Sequence, residues 1–169
     1  MKPTGEWSVL PHAGQIYRYT GAEALFAGGE LSAKVDLPLH LSYELGGEYV
    51  YTYNCDEHIP LSFSPPGSLR NTLSWEKKRM RFYVEHQYIA DQNRVARNED
   101  PTPGAQLLHL GAGFRIPMGG TDIEVTLSAR NLLNTKYYNH LSFYRKVEIP
   151  EPGRNFQLLI KIPFKKLLK

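Results

Sequence analysis

The sequence has no run of about 18 apolar residues, the minimum for a helix that crosses a membrane. A transmembrane β-strand escapes this test, because it needs only about 9–11 residues and half of them are polar. A membrane helix is therefore not expected, and strands become the elements to look for.

Cysteine and clustered charge are also scarce. Cys55 is the only cysteine, so the chain has neither an internal disulfide nor a cysteine-rich metal site. The formal net charge is +3 and the basic residues are dispersed, which argues against a nucleic-acid partner. Residues 1–14 lack the apolar segment of a signal peptide. We expect either that targeting information has been removed or that the chain begins partway through a larger protein.

Motifs for catalysis and cofactor binding are missing too. The sequence contains no H-E-x-x-H zinc motif and no G-x-S-x-G nucleophile motif. Gly111 and Gly113 begin a dinucleotide-like pattern, but Ile116 stands where its third glycine belongs. The six histidines show no close ligand spacing; they are His12, His40, His58, His86, His109 and His140. We therefore predict that the chain is not an enzyme, holds no metal site and uses no cofactor.

Alternation of apolar and polar residues is the main positive signal. Residues 156–164 put Phe156, Leu158, Ile160, Ile162 and Phe164 on one side, because successive side chains of a strand point to opposite faces. The same period predicts seven antiparallel strands in an all-β fold, at residues 25–37, 39–53, 68–75, 79–89, 106–116, 122–131 and 156–164.

The connections between these strands alternate in length. Short ones are predicted around Pro38, at 76–78 and at 117–121, and long ones at 54–67, 90–103 and 138–153. Outer-membrane barrels show this asymmetry, with short periplasmic turns and long external loops. A soluble lipocalin-like barrel or a β-sandwich also alternates. The length of the strands and the many charges on their polar side favour the membrane barrel.

A family resemblance lies in the C-terminal third. An N-L-x-N-x-x-Y segment is followed by P-G-R-N and a strand that ends on an aromatic residue. The residues are Asn131, Leu132, Asn134 and Tyr137, then Pro152, Gly153, Arg154 and Asn155, then Phe164. This combination resembles the end of TonB-dependent outer-membrane receptors. Residues 93–116 and 59–75, and the Gly28-Gly29-Glu30 strand entry, are similar to earlier parts of the same family's barrel.

The resemblance implies a domain organisation. Receptors of this family are barrels of about 22 strands around an N-terminal plug, so residues 25–164 would form the C-terminal barrel sector. Residues 1–24 would belong to an external loop, and 165–169 form a short basic tail. Nothing in the chain is similar to the plug or to the segment that binds TonB. In the family the terminal aromatic is part of the signal read by the barrel-assembly machinery, which implies that role for Phe164, although the tail departs from the family pattern.

The resemblance also implies a function and partners. The complete receptor would lie in the outer membrane of a Gram-negative bacterium, contact its lipid, and take up a small-molecule metal chelate, most commonly a ferric siderophore. TonB would act only through the missing plug, and the missing N-terminal strands would be required as well. Candidate ligand contacts in the long loops are Arg94, Arg97, Glu99, Asp100, His140, Tyr144 and Arg145. The alternative for each of them is a solvated loop side chain.

A second reading of the whole chain stays open. Seven strands are fewer than the eight of the smallest outer-membrane barrels. If residues 15–20 supply an eighth strand, the chain could close a small barrel alone, with a ligand-binding or structural role.

Overall fold

The computed structural model describes residues 21–118 and 121–163, and these form one seven-stranded sheet. The strands are β1 (Ala24–Leu37), β2 (Leu41–Asn54), β3 (Ser68–Lys77), β4 (Met80–Ile89), β5 (Ala105–Met118), β6 (Thr121–Arg130) and β7 (Asn155–Lys161). Their order in the sheet is their order in the chain, and every neighbouring pair is antiparallel. The all-β prediction and its seven strands are confirmed.

The strand register aligns all the apolar sides on one face of the sheet. Residues directly opposite each other in an antiparallel pair share a face. Val35 pairs with Tyr43, and Tyr43 pairs with Leu73. The same row then runs across the rest of the sheet through Val84, Leu110, Ala129 and Phe156. We call this side the apolar face and the opposite side the polar face.

The apolar face is exposed. Leu31 keeps 55% of its surface accessible and Phe156 keeps 69%. Among the described residues only Ala105 and Leu107 are buried hydrophobic residues. A soluble sandwich would cover such a face with a second layer, and no described part of the chain does so. The sheet has the pattern of a membrane barrel, apolar outward and polar inward.

Charged and hydroxyl side chains pair across strands on the polar face. Lys34 Nζ lies 2.8 Å from Glu44 Oε1, and Lys161 Nζ lies 3.5 Å from Glu124 Oε2. Both pairs are largely exposed, and exposed ion pairs contribute little to stability because water and salt screen them. They therefore help to set the register more than they stabilise the sheet.

The two ends of the sheet differ, as predicted. At the short-turn end, Pro38–His40 joins β1 to β2, and residues 78–79 join β3 to β4. Leu39 and His40 have positive φ values of 64° and 67°, so the chain turns here and β2 begins at Leu41 rather than at residue 39. At the long-loop end lie the first (residues 55–67), second (90–104) and third (131–154) long loops.

Helical structure in the described residues is confined to two short 3-10 segments, Pro38–His40 and Phe143–Val147. No described helix is long and apolar enough to cross a bilayer.

Within the described residues, the outer strands β1 and β7 have no further partner strand, so both edges of the sheet are open. Because seven is odd, β1 and β7 both run from the long-loop end to the short-turn end. Direct closure would therefore create a parallel seam, whereas bacterial outer-membrane barrels have an even number of antiparallel strands. An antiparallel closure needs an odd number of further strands. Residues 15–20, the predicted eighth strand of the alternative reading, lie outside the described residues, as do residues 1–14.

Gly111 gives a test of the packing on the polar face. A Cβ at Gly111 would overlap the Tyr83 ring, whereas one at Gly113 would lie 3.9 Å from the Arg81 Cβ, an ordinary contact. We expect Gly111→Ala to lower the free energy of unfolding by about 1–3 kcal/mol, because the ring must move.

Urea unfolding of the lipid-reconstituted chain, followed by circular dichroism, measures this effect. Gly113→Ala, on the same strand and face, is the matched control and should unfold like the unmodified chain. Equal stability of the two variants would contradict the close packing of the Tyr83 ring against Gly111.

Candidate functional site

The three long loops contact one another at the long-loop end. Gln92 is buried, and its Nε2 donates to Ser64 O at 2.9 Å and to Pro65 O at 3.2 Å. The Ser64 hydroxyl in turn bonds the hydroxyl of Thr52, near the end of β2. These bonds join the first and second long loops.

Glu99 lies at the centre of this assembly of the three long loops. Its Oε1 accepts a hydrogen bond from Phe63 N in the first long loop at 3.1 Å, and its Oε2 accepts one from Ala96 N at 3.2 Å. The Glu99 side chain is 4% exposed. A buried carboxylate needs such donors, because an ionised group without partners is costly to remove from water.

The third long loop adds two more contacts to Glu99. Arg145 Nη2 donates to Glu99 Oε1 at 3.1 Å, and Arg145 Nη1 donates to the backbone oxygen of Asp100. His140 is 1% exposed; its Nδ1 bonds the Thr102 hydroxyl at 2.8 Å, and its Nε2 faces Glu99 Oε1 at 3.4 Å. We call Glu99, Thr102, His140 and Arg145 the Glu99 cluster.

The electrostatics of the cluster favour a neutral imidazole. Burial lowers the pKa of His140, and the positive charge of Arg145 lowers it further, while Glu99 opposes both in part. With His140 neutral, the cluster contains one carboxylate and one guanidinium. Their charges balance within the buried volume, which is the condition under which a buried ion pair is retained.

A second set of contacts closes the base of the third long loop. Asn131 is buried, and its Nδ2 donates to Thr135 O at 2.9 Å and to Pro152 O at 3.3 Å. Asn134 Oδ1 accepts from Arg154 N at 3.0 Å. The two halves of the sequence motif, separated by the loop, thus bond each other. Geometry gives these residues a structural role in setting where β6 ends and β7 begins.

Gly153 is required by this closure. A Cβ added there would come within 2.7 Å of Asn134 Oδ1. A larger residue would displace the amide that accepts the Arg154 hydrogen bond.

The structure separates the seven predicted ligand contacts into three groups. Glu99, His140 and Arg145 come together and are buried, so the interpretation of these three as solvated side chains is wrong. Arg97, Asp100 and Tyr144 are exposed. Binding of a ligand by any of them stays a prediction. Phe164, the predicted assembly signal, lies outside the described residues, as does the tail at 165–169.

Arg94 belongs to neither of these sets and forms the third group alone. Its guanidinium lies 3.9 Å from the centre of the Tyr51 ring, and its Nη1 donates to the Tyr49 hydroxyl at 3.4 Å. It therefore ties the second long loop to β2 and does not join the Glu99 cluster.

Sequence reasoning missed Phe63, Gln92 and Thr102 as members of the loop assembly. The bonds that join each of them to another long loop reach residues at least 27 positions away. No local pattern marks a residue whose partner is so distant.

A shallow hollow of about 260 Å³ lies on the polar face. Gly46 leaves room for it, since it carries no side chain, and the rim of the hollow includes Glu30, Glu48 and Arg70. Among the described residues, no group of three or more histidine, cysteine, aspartate or glutamate side chains is arranged to hold a metal ion.

The geometry defines the fold as a sector of an antiparallel β-barrel, open at both edges. No protein-family model matches the sequence. A solved structure with a similar fold is that of the "Copper transporter OprC", with a TM-score of 0.77 and 24% sequence identity. The match covers 83% of this chain but only 23% of that protein. At this identity the likeness shows the fold, and the chain spans about a quarter of the protein that it matches.

The Glu99 cluster gives a second testable prediction. Removing one partner of a buried ion pair costs about 3–5 kcal/mol, because the other charge stays buried. We expect Glu99→Gln to release the three loops, since Arg145 loses its counter-charge and Phe63 N loses a charged acceptor.

Limited trypsin digestion of the reconstituted chain would show this as faster cleavage after Arg97 and Lys146. Asp100→Asn is the control, because the Asp100 side chain is exposed and only its backbone oxygen contacts Arg145. If both variants are cleaved at the rate of the unmodified chain, Glu99 does not hold the loops.

Proposed function

We propose that this chain is the C-terminal sector of an outer-membrane receptor barrel of the TonB-dependent type, which takes up a metal-containing cargo. The observation that carries the proposal is the exposed apolar face, which is continuous over all seven strands. Lipid is the medium in which such a face is stable, and every backbone group within lipid must be paired by a neighbouring strand.

The lengths of six of the seven strands support a membrane location, while β7 is shorter, with 7 residues. β1, β2 and β5 have 14 residues each, and β3, β4 and β6 have 10, against the 9–11 or so that a spanning strand requires. Aromatic rings near the short-turn end add to this. Trp75, Phe82 and Phe114 form a chain on the apolar face with centroid distances of 5.7 and 5.6 Å. Membrane barrels carry aromatic girdles at such levels.

An antiparallel closure requires an odd number of additional strands. The 15 or so strands that would complete a barrel of about 22 meet this requirement, and so would the single eighth strand of the alternative reading. The sequence motifs, together with the fold match to only 23% of a longer protein, favour a sector of a larger barrel. In this role the chain contributes part of the barrel wall and three external loops. The remaining strands and the plug belong to the rest of the receptor, TonB is a separate partner that acts only through that plug, and the proposed role involves no covalent chemistry on this chain.

The cargo is proposed as a metal chelate. Two observations support a metal cargo. The sequence resembles a receptor family whose commonest cargo is a ferric siderophore, and a protein named as a copper transporter has a similar fold. Within this class we propose the ferric siderophore, on the strength of the sequence motifs.

Trp75 tests the membrane location. In a Trp7→Phe variant, Trp75 is the only tryptophan, and it lies on the apolar face. Because the open edges need the missing strands, the chain is reconstituted into vesicles as part of the complete receptor, with all other tryptophans of that receptor replaced by phenylalanine. We then expect the fluorescence of Trp75 to be quenched by brominated lipid and to resist quenching by acrylamide in the water. Quenching by acrylamide alone would reject a lipid-facing sheet and with it the proposed function.

Uptake by cells tests the cargo. We expect deletion of the gene that encodes this chain to abolish energy-dependent accumulation of iron supplied as a siderophore complex, and reintroduction of the gene to restore it. Copper accumulation measured in the same cells separates the two metals. Loss of copper uptake with unchanged iron uptake would replace the siderophore with copper, and no change in either would reject a metal cargo.

A further inference from the structure

The third long loop contains a segment that buries polar side chains and exposes large apolar ones. In residues 140–149 the two side chains that point inward are polar: His140 is 1% exposed and Arg145 reaches Glu99. Five of the outward side chains are large and apolar, each between 48% and 66% exposed; they are Leu141, Phe143, Tyr144, Val147 and Ile149. Lys146 and Glu148 are exposed beside them. A water-exposed loop would place these two kinds of side chain the other way round.

The position of this segment relative to the sheet follows from the strand register. The ladder between β4 and β5 continues beyond Ile89 and Ala105 to a bridge between Gln92 and Thr102. Because side chains alternate, Thr102 points to the same side as Gln106, which pairs with Tyr88 on the apolar face. Thr102 is the residue that bonds His140. The segment is therefore fastened to the hairpin on its apolar side.

The local backbone turns the apolar side chains outward. Residues Phe143–Val147 form a 3-10 turn that begins with the Ser142 hydroxyl accepting from Tyr144 N and ends at Glu148 in the left-handed conformation. Ile149 N then returns to Tyr144 O at 3.0 Å. This compact turn directs Arg145 inward, where it bonds Glu99 and Asp100.

We propose that residues 141–149 form a membrane-interface element that rests on the lipid surface beside the long-loop end of the sheet. The apolar side chains enter the boundary between headgroups and acyl chains, and the buried Glu99 cluster holds the element in place. The occupant is lipid because the apolar patch continues the lipid-facing side of the sheet. This inference rests on the proposed membrane location and gives Tyr144 a contact with lipid.

Tryptophan scanning in vesicles that contain the complete receptor, with its other tryptophans replaced by phenylalanine, tests the element. The background is Trp7→Phe with Trp75→Phe, and Tyr144→Trp then reports on the patch. We expect quenching by lipids that carry bromine or nitroxide about 5–10 Å below the headgroups, the depth typical of interfacial elements, with weaker quenching by labels near the bilayer centre. Arg97→Trp is the matched control, because it is also exposed at the long-loop end but lies off the patch. It should respond to acrylamide and not to lipid.

The outcomes separate the two proposals. If Trp75 in the Trp7→Phe chain is quenched by lipid but Tyr144→Trp behaves like Arg97→Trp, the interface element is rejected and the membrane location stands. If Tyr144→Trp is shielded from both quenchers, protein covers the patch and lipid does not. If neither tryptophan meets lipid, both proposals fail. Ile149→Trp, at a second exposed position of the patch, guards against a local effect of one substitution and should give the Tyr144→Trp result.

Discussion

The alignment of seven alternating strands in one register is the constraint on which the structure depends. A shift of one residue in any pair would move a whole strand's apolar side chains to the opposite face. Six successive pairings instead carry a single row from Val35 in β1 to Phe156 in β7. Because the apolar side chains stay on the exposed side, the energy of burial comes from contact with an apolar surrounding and not from an internal core.

The long-loop end also has polar side chains inside and apolar side chains outside, but loop contacts rather than strand pairing produce this arrangement. There the sheet ladder has ended, so the loops need other donors and acceptors for their buried polar groups. Glu99 supplies an acceptor to two backbone amides and to Arg145, and Thr102 holds His140. A polar centre with apolar side chains around it is expensive in water. It fits a position at the edge of a membrane, where the outer side chains meet lipid and the inner ones meet each other.

The sheet and the long loops are directly connected in the structure. The polar face carries charged side chains and a shallow hollow, and the loop assembly lies at the long-loop end of the same sheet. Asn131 and Asn134 connect the two, because they fix the end of β6 and the return into β7. Residues that the family motif marks thus position the third long loop through bonds between main chain and amide side chains.

Alternation along each strand was sufficient to predict the seven strands, the face that each residue occupies and the alternation of short and long connections, since these depend on neighbours within a few residues. Leu39 and His40 were the main departure: their apolar-polar order suited a strand, and the turn after Pro38 required positive φ values instead. Only the tertiary structure decided which loop residues meet. Glu99, His140 and Arg145 were recognisable as candidates by residue type, but their burial depends on partners such as Phe63 and Thr102 that lie far away in the chain. The alternation of apolar and polar residues along a strand is a local property and can be identified in the sequence. A buried polar cluster forms only when the fold brings distant loops together.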